Sequence, residues 1–440
     1  MPVRFHEELL GESLDEAAAL YTQRCQDLDP PTVGLHHVLD VDVRIEAHLD
    51  LLCAGGDDAL TGVAATAAES AGGGYTGARA LLRQGQVAAW SDLTETVLAT
   101  PDDPDRLANG EPPRLAALKA ASAHEAWVGD LQEAQRLLST GGDSPLTTCL
   151  AYAAGYQRWD AAAALQAGLK AGVAEPATWL WALGQIGEAQ ARDTLLPFLE
   201  EADAEICRAA ALALCRTEED QMAAWLVAQA LNQLWAPIVL AFLGGPRALP
   251  VLSKHIETGD VFAVTAAGLL GDGGGVDVLL AALANPEQAT ASAQALHLLT
   301  GLAPQEQRQR TPPVADPDEP PFVDTDEPAW QLAVSQQVWS QALQRAPLKL
   351  SPGIRYRLGH PADPAQSLLA LRSPHVRQSL RTLLIDELFI RFGLGVHLRA
   401  DQHAGRQLRV LDKLEQFLPH MVVKPVPGHF TFQGRRGVGA

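Results

Sequence analysis

The chain has 440 residues, 47% of them hydrophobic and 5% aromatic, with a formal net charge of −20. That acidity argues against broad attraction to nucleic acid or anionic membrane. No window approaches the ~20 apolar residues of a membrane span; the longest apolar stretch, Trp235 to Leu243, stops at Gly244 and Gly245.

Residues 1–30 read as a helix stopped by Pro30 and Pro31. Acidic residues follow directly on MPVRFHEELL, which does not suit a secretory signal. A second helix runs to Gly55 and Gly56, with Val41, Ile45, Leu49 and Leu52 on one face. These first 56 residues form an N-terminal helical segment. From 57 to 145 helix and turn alternate less regularly, in GARALLRQGQVAAWSDLTETVLA and RLAALKAASAHEAWVGDLQEAQRLLS, with the loop Pro101–Pro113 between them. Such irregular units suit the end of a stack.

Residues 146–302 repeat. An amphipathic helix, a break and an Ala-rich helix recur, and the second helices close at Gly184, Cys215, Gly244, Gly271 and Thr300, with Gly155 closing an earlier unit. A period near ~30 residues built of helix pairs predicts an α-solenoid, because each pair buries its apolar face only against its neighbours. Asp203 and Asp260 are placed as N-caps, and Pro176 and Pro237 suit a first helical turn. Gly184, Gly244 and Gly271 suit a left-handed residue after a helix.

The unit ARDTLLPFLEEADAEICRAAALALCRTE resembles a short HEAT repeat, of the kind also found in phycobilisome-lyase-like repeat proteins, and the arginine of that pattern falls on Arg208. A narrower resemblance lies in LDVDVRIEAHLDLLCAGGDDAL. It is similar to the N-terminal signature L-x-x-x-D-x-R-x-E-A-H-L-D-G-L of an uncharacterised proteobacterial HEAT-repeat family, matched by Asp42, Arg44, Glu46, Ala47, His48, Leu49, Asp50 and Leu52, with Leu39 one place closer to Asp42 than the signature's first leucine and Leu51 in place of the glycine. RYRLGHP and the Arg-bearing helix that follows also resemble that family's closing segment. The resemblance implies a right-handed superhelix of stacked helix pairs and an association with spike and adaptor components of type VI secretion.

Residues 303–329 hold seven prolines and seven acidic residues and read as an exposed acidic loop. Residues 330–440 begin with a helix carrying Trp330 and Trp339 and continue as a further helix pair and a tail. The charge divides sharply: Met1–Gln344 carries a net −29 and Arg345–Ala440 a net +9. Arg355, Arg357, Arg377, Arg381 and Arg391 are therefore the candidate partner-binding residues. Whether this basic end docks on the acidic body or on another molecule stays open.

Chemistry-bearing residues are read mostly as structural. His36, His37, Asp40 and Asp42 could form a metal set, but adjacent histidines diverge on a helix, and capping or solvated roles explain them better. His48 is read as an interface histidine, and Glu46 with Asp50 as surface carboxylates. The five cysteines are scattered without CxxC spacing, which points to a reducing cytoplasm; Cys207 and Cys215 are taken as small buried hydrophobes. Gly72–Gly74 and Gly271–Gly275 lack the Lys-Ser/Thr of a phosphate loop and are read as turns. His397 and His403 are a weak metal pair.

The expected molecule is thus an all-α, HEAT-like solenoid without catalytic, cofactor or metal residues: a cytoplasmic, non-enzymatic protein-binding scaffold or adaptor whose partner is a secretion-system spike or effector. The alternatives are a HEAT-like nucleic-acid-binding or DNA-repair protein that uses the basic end, and a lyase-like repeat enzyme.

Overall fold

Helices carry most of the chain in the computed structural model, which describes residues 2–28, 34–56, 67, 69–99, 113–125, 129–142, 144–187, 191–217, 220–230, 233–307 and 330–436. In order they are α1 (Pro2–Leu28), α2 (Leu35–Ala54), α3 (Ala71–Arg83), α4 (Val87–Ala99), α5 (Pro113–His124), α6 (Leu131–Thr140), α7 (Pro145–Gln157) and α8 (Ala162–Ala171). Then follow α9 (Pro176–Ile186), α10 (Arg192–Leu195), which continues as a 3-10 turn to Glu200, α11 (Ala204–Cys215), α12 (Asp220–Gln229), α13 (Ala236–Leu243), α14 (Ala248–Glu257), α15 (Val261–Leu270), α16 (Val276–Ala282) and α17 (Pro286–Thr300).

The odd-numbered helices α1 to α17 form one row, each packed on the next odd one, and the even-numbered helices fill the flank beside them. Small residues make the row possible. A Cβ on Gly155 of α7 would lie 2.5 Å from the Cα of Ala182 in α9. One on Gly184 of α9 would lie 2.7 Å from Ala213 in α11, and one on Gly268 of α15 would lie 2.7 Å from Ala295 in α17. Real Cβ atoms do not approach so closely, so glycine sets the helix spacing at these crossings. Every residue of α13 is buried, because it has neighbours on all sides.

The expected caps are present at Asp203 and Asp260, whose carboxylates accept from the amides of Glu205 and Phe262, and Pro176 and Pro237 occupy first turns. The glycines need a correction. Gly271 is left-handed, with φ 72°. Gly184 lies inside α9, which closes instead on left-handed Gly187, and Gly244 is extended. Gly72–Gly74 is no turn either. It is the first part of α3, where a Cβ on Gly72 would strike the carbonyl of Ala18 in α1.

Beyond α17 the chain keeps the expected helix pair, 364–372 and 378–390, and adds short strands that were not expected. β1 (Gln305–Gln307) pairs antiparallel with β2 (Trp330–Leu332), Glu306 opposite Gln331, so Trp330 belongs to a strand and not to a helix. The remainder of the expected acidic loop, 308–329, lies outside the described residues. Next come α18 (Gln336–Arg345), the hairpin β3 (Tyr356–Arg357) and β4 (His360–Pro361), α19 (Pro364–Arg372), α20 (Gln378–Ile390), α21 (Ala404–Phe417) and the hairpin β5 (Thr431–Phe432) and β6 (Arg435–Arg436). No described helix is long and apolar enough to cross a membrane.

Candidate functional site

An α-helix leaves its last four carbonyls without intrahelical partners and concentrates partial negative charge there. A row of parallel helices multiplies that demand along one edge. The C-terminal segment answers it by running back along the row, from its last helices to its first. Arg355 donates from Nε to the carbonyl of Leu270 at 2.8 Å, and Arg357 donates to Gly268 and Leu269, both at 2.9 Å, closing α15. The amides of Leu358 and Gly359 donate to Leu298 and Leu299 at the end of α17. Arg391 donates to Ala241 at the end of α13. His397 meets the carbonyl of Tyr156 at 2.8 Å and Arg399 donates to Gly155, both at the end of α7. Farther on, Arg24 of α1 donates to the carbonyls of Asp401 and Gln402, and Asp42 of α2 accepts from the amide of Ala404 at 2.6 Å and from Arg24 at 2.5 Å.

Arg355, Arg357, Arg381, Arg391 and Arg399 are therefore inside the protein, whereas Arg345, Lys349, Arg406, Arg409, Lys413, Lys424 and Arg435 are exposed. Arg355, Arg357 and Arg391 have 0% exposure and Arg381 has 3%. Arg377 is half-buried at the start of α20, where its amide donates to Gln294. Four of the five arginines expected to meet a partner thus have no face on the surface, and the expectation is corrected for them. Their charges are balanced by helix ends and by Glu387. The Glu387 carboxylate accepts from Arg355 at 2.5 Å, from Arg357 at 2.6 Å and from the hydroxyl of Ser367 at 2.9 Å. Burial alone would raise its pKa, but the charges of Arg357, Arg355 and Arg391 outweigh burial and hold it at about 2. Burial pushes Arg355 down to about 10 against the pull of Glu387, and pushes Arg381 down to about 10 as well.

Between this returning segment and the row lies a groove of about 580 Å³. One wall takes side chains from α5, α7, α9, α11, α13 and α15 in turn; the other is α20 together with residues 399–401. Three aromatic rings, Tyr152, Trp181 and Phe262, stand in the first wall. Tyr152 stacks on Trp181 with centroids 4.7 Å apart, and Phe262 carries the Arg208 guanidinium 4.7 Å above its ring. Leu212 and Leu383 face the same space and are half-buried. At the bottom, Asp386 accepts from Arg216 at 2.6 Å and from Gln185 at 3.5 Å. Arg208, the position read against the HEAT pattern, stands 3.6 Å from Asp260, the cap of α15 two units on. Half-buried rings, aliphatic side chains and both signs of charge suit protein side chains better than a reacting small molecule.

The remaining sequence candidates are scattered. His36, His37 and Asp40 are exposed, His37 lying 3.3 Å from Asp27, whereas Asp42 is buried on another face of α2. His48 meets the hydroxyl of Ser13 at 2.9 Å, the interface role expected of it. Glu46 and Asp50 are drawn into a network with Arg79, Arg83 and Glu125, in which Arg83 lies 2.8 Å from Glu46 and 3.0 Å from Asp50. Cys207 and Cys215 are buried, and burial pushes both thiols up. His397 contacts α7, while His403 caps α21.

Sequence reading missed the groove residues Tyr152, Trp181, Leu212, Phe262 and Leu383. One signal was present: each of the first four lies on a second helix. The acceptors Gln185 and Asp386 had no local signal, since they are 201 residues apart in the chain. No family model matches the chain, and no curated protein or solved structure matches it.

Proposed function

We propose that the chain is a HEAT-like α-solenoid, a right-handed superhelix of stacked helix pairs, that acts as a non-enzymatic scaffold or adaptor for another protein. The observation that carries this reading is the groove, whose apolar and aromatic wall is built by consecutive second helices and whose far side is α20. Repeat stacks use such surfaces to dock extended segments. The net charge of −20 adds long-range attraction for a partner with basic patches, which speeds encounter and weakens as salt rises. The likeness of the α2 motif to the secretion-associated HEAT family gives the reading its setting: a cytoplasmic bacterial accessory protein that loads an effector or spike in type VI secretion.

Affinity purification of the full chain at low salt, followed by mass spectrometry, tests the reading. Wild-type protein should recover a protein that Leu212→Asp, which places a charge on the apolar wall, does not. Recovery of no protein, or of the same protein by both forms, contradicts it.

A further inference from the structure

The bottom of the groove holds acceptors that nothing answers. Asp386 is 2% exposed and Gln185 4% exposed, yet Oδ2 of Asp386 and Oε1 of Gln185 have no hydrogen-bond partner. The other Asp386 oxygen is taken, by Arg216 at 2.6 Å and by the Gln185 amide at 3.5 Å. The two unanswered oxygens belong to side chains that touch one another and line one cavity. Buried polar atoms without partners are rare, and a pair of them in a groove marks where a donor belongs.

The cations along the same groove already have company. Lys119 donates to the hydroxyl of Thr178 at 3.0 Å. Arg208 lies over Phe262 and beside Asp260. Arg399 lies over Trp181 at 5.5 Å and donates to the carbonyl of Gly155. The Nε atoms of Arg208 and Arg399 lack acceptors, but both guanidinium groups sit against ring faces, which attract cations. The unanswered acceptors of the groove are Oδ2 of Asp386 and Oε1 of Gln185, which stand together, while the two unanswered Nε donors belong to separate side chains. At the rim, Glu205 of α11 is exposed and adds a further carboxylate.

We infer that the groove receives an arginine side chain from an extended basic segment of the protein partner, with its guanidinium seated on Asp386 and Gln185 between the aromatic wall and α20. A planar guanidinium presents two parallel N–H donors to two neighbouring acceptors, which a single ammonium centre matches less well. Aromatic walls favour a delocalised, weakly hydrated cation, and the acidic chain draws a basic segment from a distance. This inference rests on the scaffold reading and adds to it the chemistry of the docked residue.

The test titrates the full chain with the acetylated, amidated peptide Gly-Gly-Arg-Gly-Gly and with versions carrying lysine, citrulline or glutamate in the centre, followed by saturation-transfer NMR at two salt concentrations. The arginine peptide should bind at least about ten-fold more tightly than its neutral citrulline isostere, with lysine between them and glutamate weakest. Added salt should narrow the gap. Asp386→Asn should bring the arginine and citrulline peptides to parity. Because that change also loosens Arg216, Gln185→Leu provides a second variant: it keeps the Asp386–Arg216 pair and should weaken arginine binding several-fold with helix content unchanged. Equal binding of arginine and citrulline, or preference for glutamate, overturns the inference. If no peptide binds while a partner is recovered through Leu212, the inference fails and the scaffold reading stands. If no partner is recovered either, both fail.

Discussion

Removing the charge of Glu387 puts the C-terminal segment to its most demanding test. The carboxylate lies 2.5 Å from Arg355, 2.6 Å from Arg357 and 3.9 Å from Arg391, and all four groups are at most 1% exposed. Glu387→Gln keeps the shape and leaves three buried guanidinium groups without their counter-charge. Breaking a buried ion pair from one side costs about 3–5 kcal/mol. Against the roughly 5–15 kcal/mol that holds a domain folded, that is a large share. At roughly 2 °C per kcal/mol, the low end of the range and suited to a long chain, the melting midpoint falls by about 6–10 °C. Circular dichroism melting beside the exposed control Glu133→Gln measures it. The acid limb gives an independent reading. Because Glu387 is held at about 2 in the folded chain against an ordinary 4.5, it contributes stability above pH 4.5 that is lost as pH falls toward 2. That limb should shrink in Glu387→Gln. A loss no greater than that of Glu133→Gln, with an unchanged acid limb, would refute the claim that Glu387 balances the buried arginines.

Three further outcomes follow from the packing. Gly184→Val places a branched side chain where a Cβ alone is 2.7 Å from Ala213, so it should destabilise by about 1–3 kcal/mol or more, read as a lowered melting midpoint. Asp260→Ala removes the carboxylate that accepts from the amides of Phe262 and Ala263, and should cost about 1 kcal/mol in a denaturant titration. His297 is held neutral because burial lowers it to about 4 from its ordinary 6.5. Its folded form binds its proton less readily than the unfolded chain does, so stability should decline as pH drops from 6.5 to 4, and His297→Gln should flatten that limb.

The row of odd-numbered helices was legible because its causes are local. Ala-rich second helices, Asp caps at 203 and 260 and prolines in first turns each announce themselves within a few residues. What the glycines do was only half legible: Gly184 marks the repeat, but its reason is Ala213 of the next unit, a contact that no window of sequence displays. The path of the C-terminal segment was hidden for the same reason on a larger scale. Arg391 meets a carbonyl 150 residues away and Arg399 one 244 residues away. The one trace of that arrangement was the split between a body of net −29 and an end of net +9. Read as an invitation to an outside partner, the split pointed to buried residues; read as a demand for counter-charge along helix ends, it points to the observed path.

The most direct trial of the account compares two variants against the recovered partner in a binding titration. Leu383→Asp alters the groove wall, and Arg377→Ala with Arg409→Ala removes half-buried and exposed positive charge from the basic end. The account predicts that Leu383→Asp weakens the partner by more than about ten-fold, as loss of a central apolar contact does, while the double arginine variant stays within about two-fold. Full affinity in Leu383→Asp together with collapse in the arginine variant would contradict it.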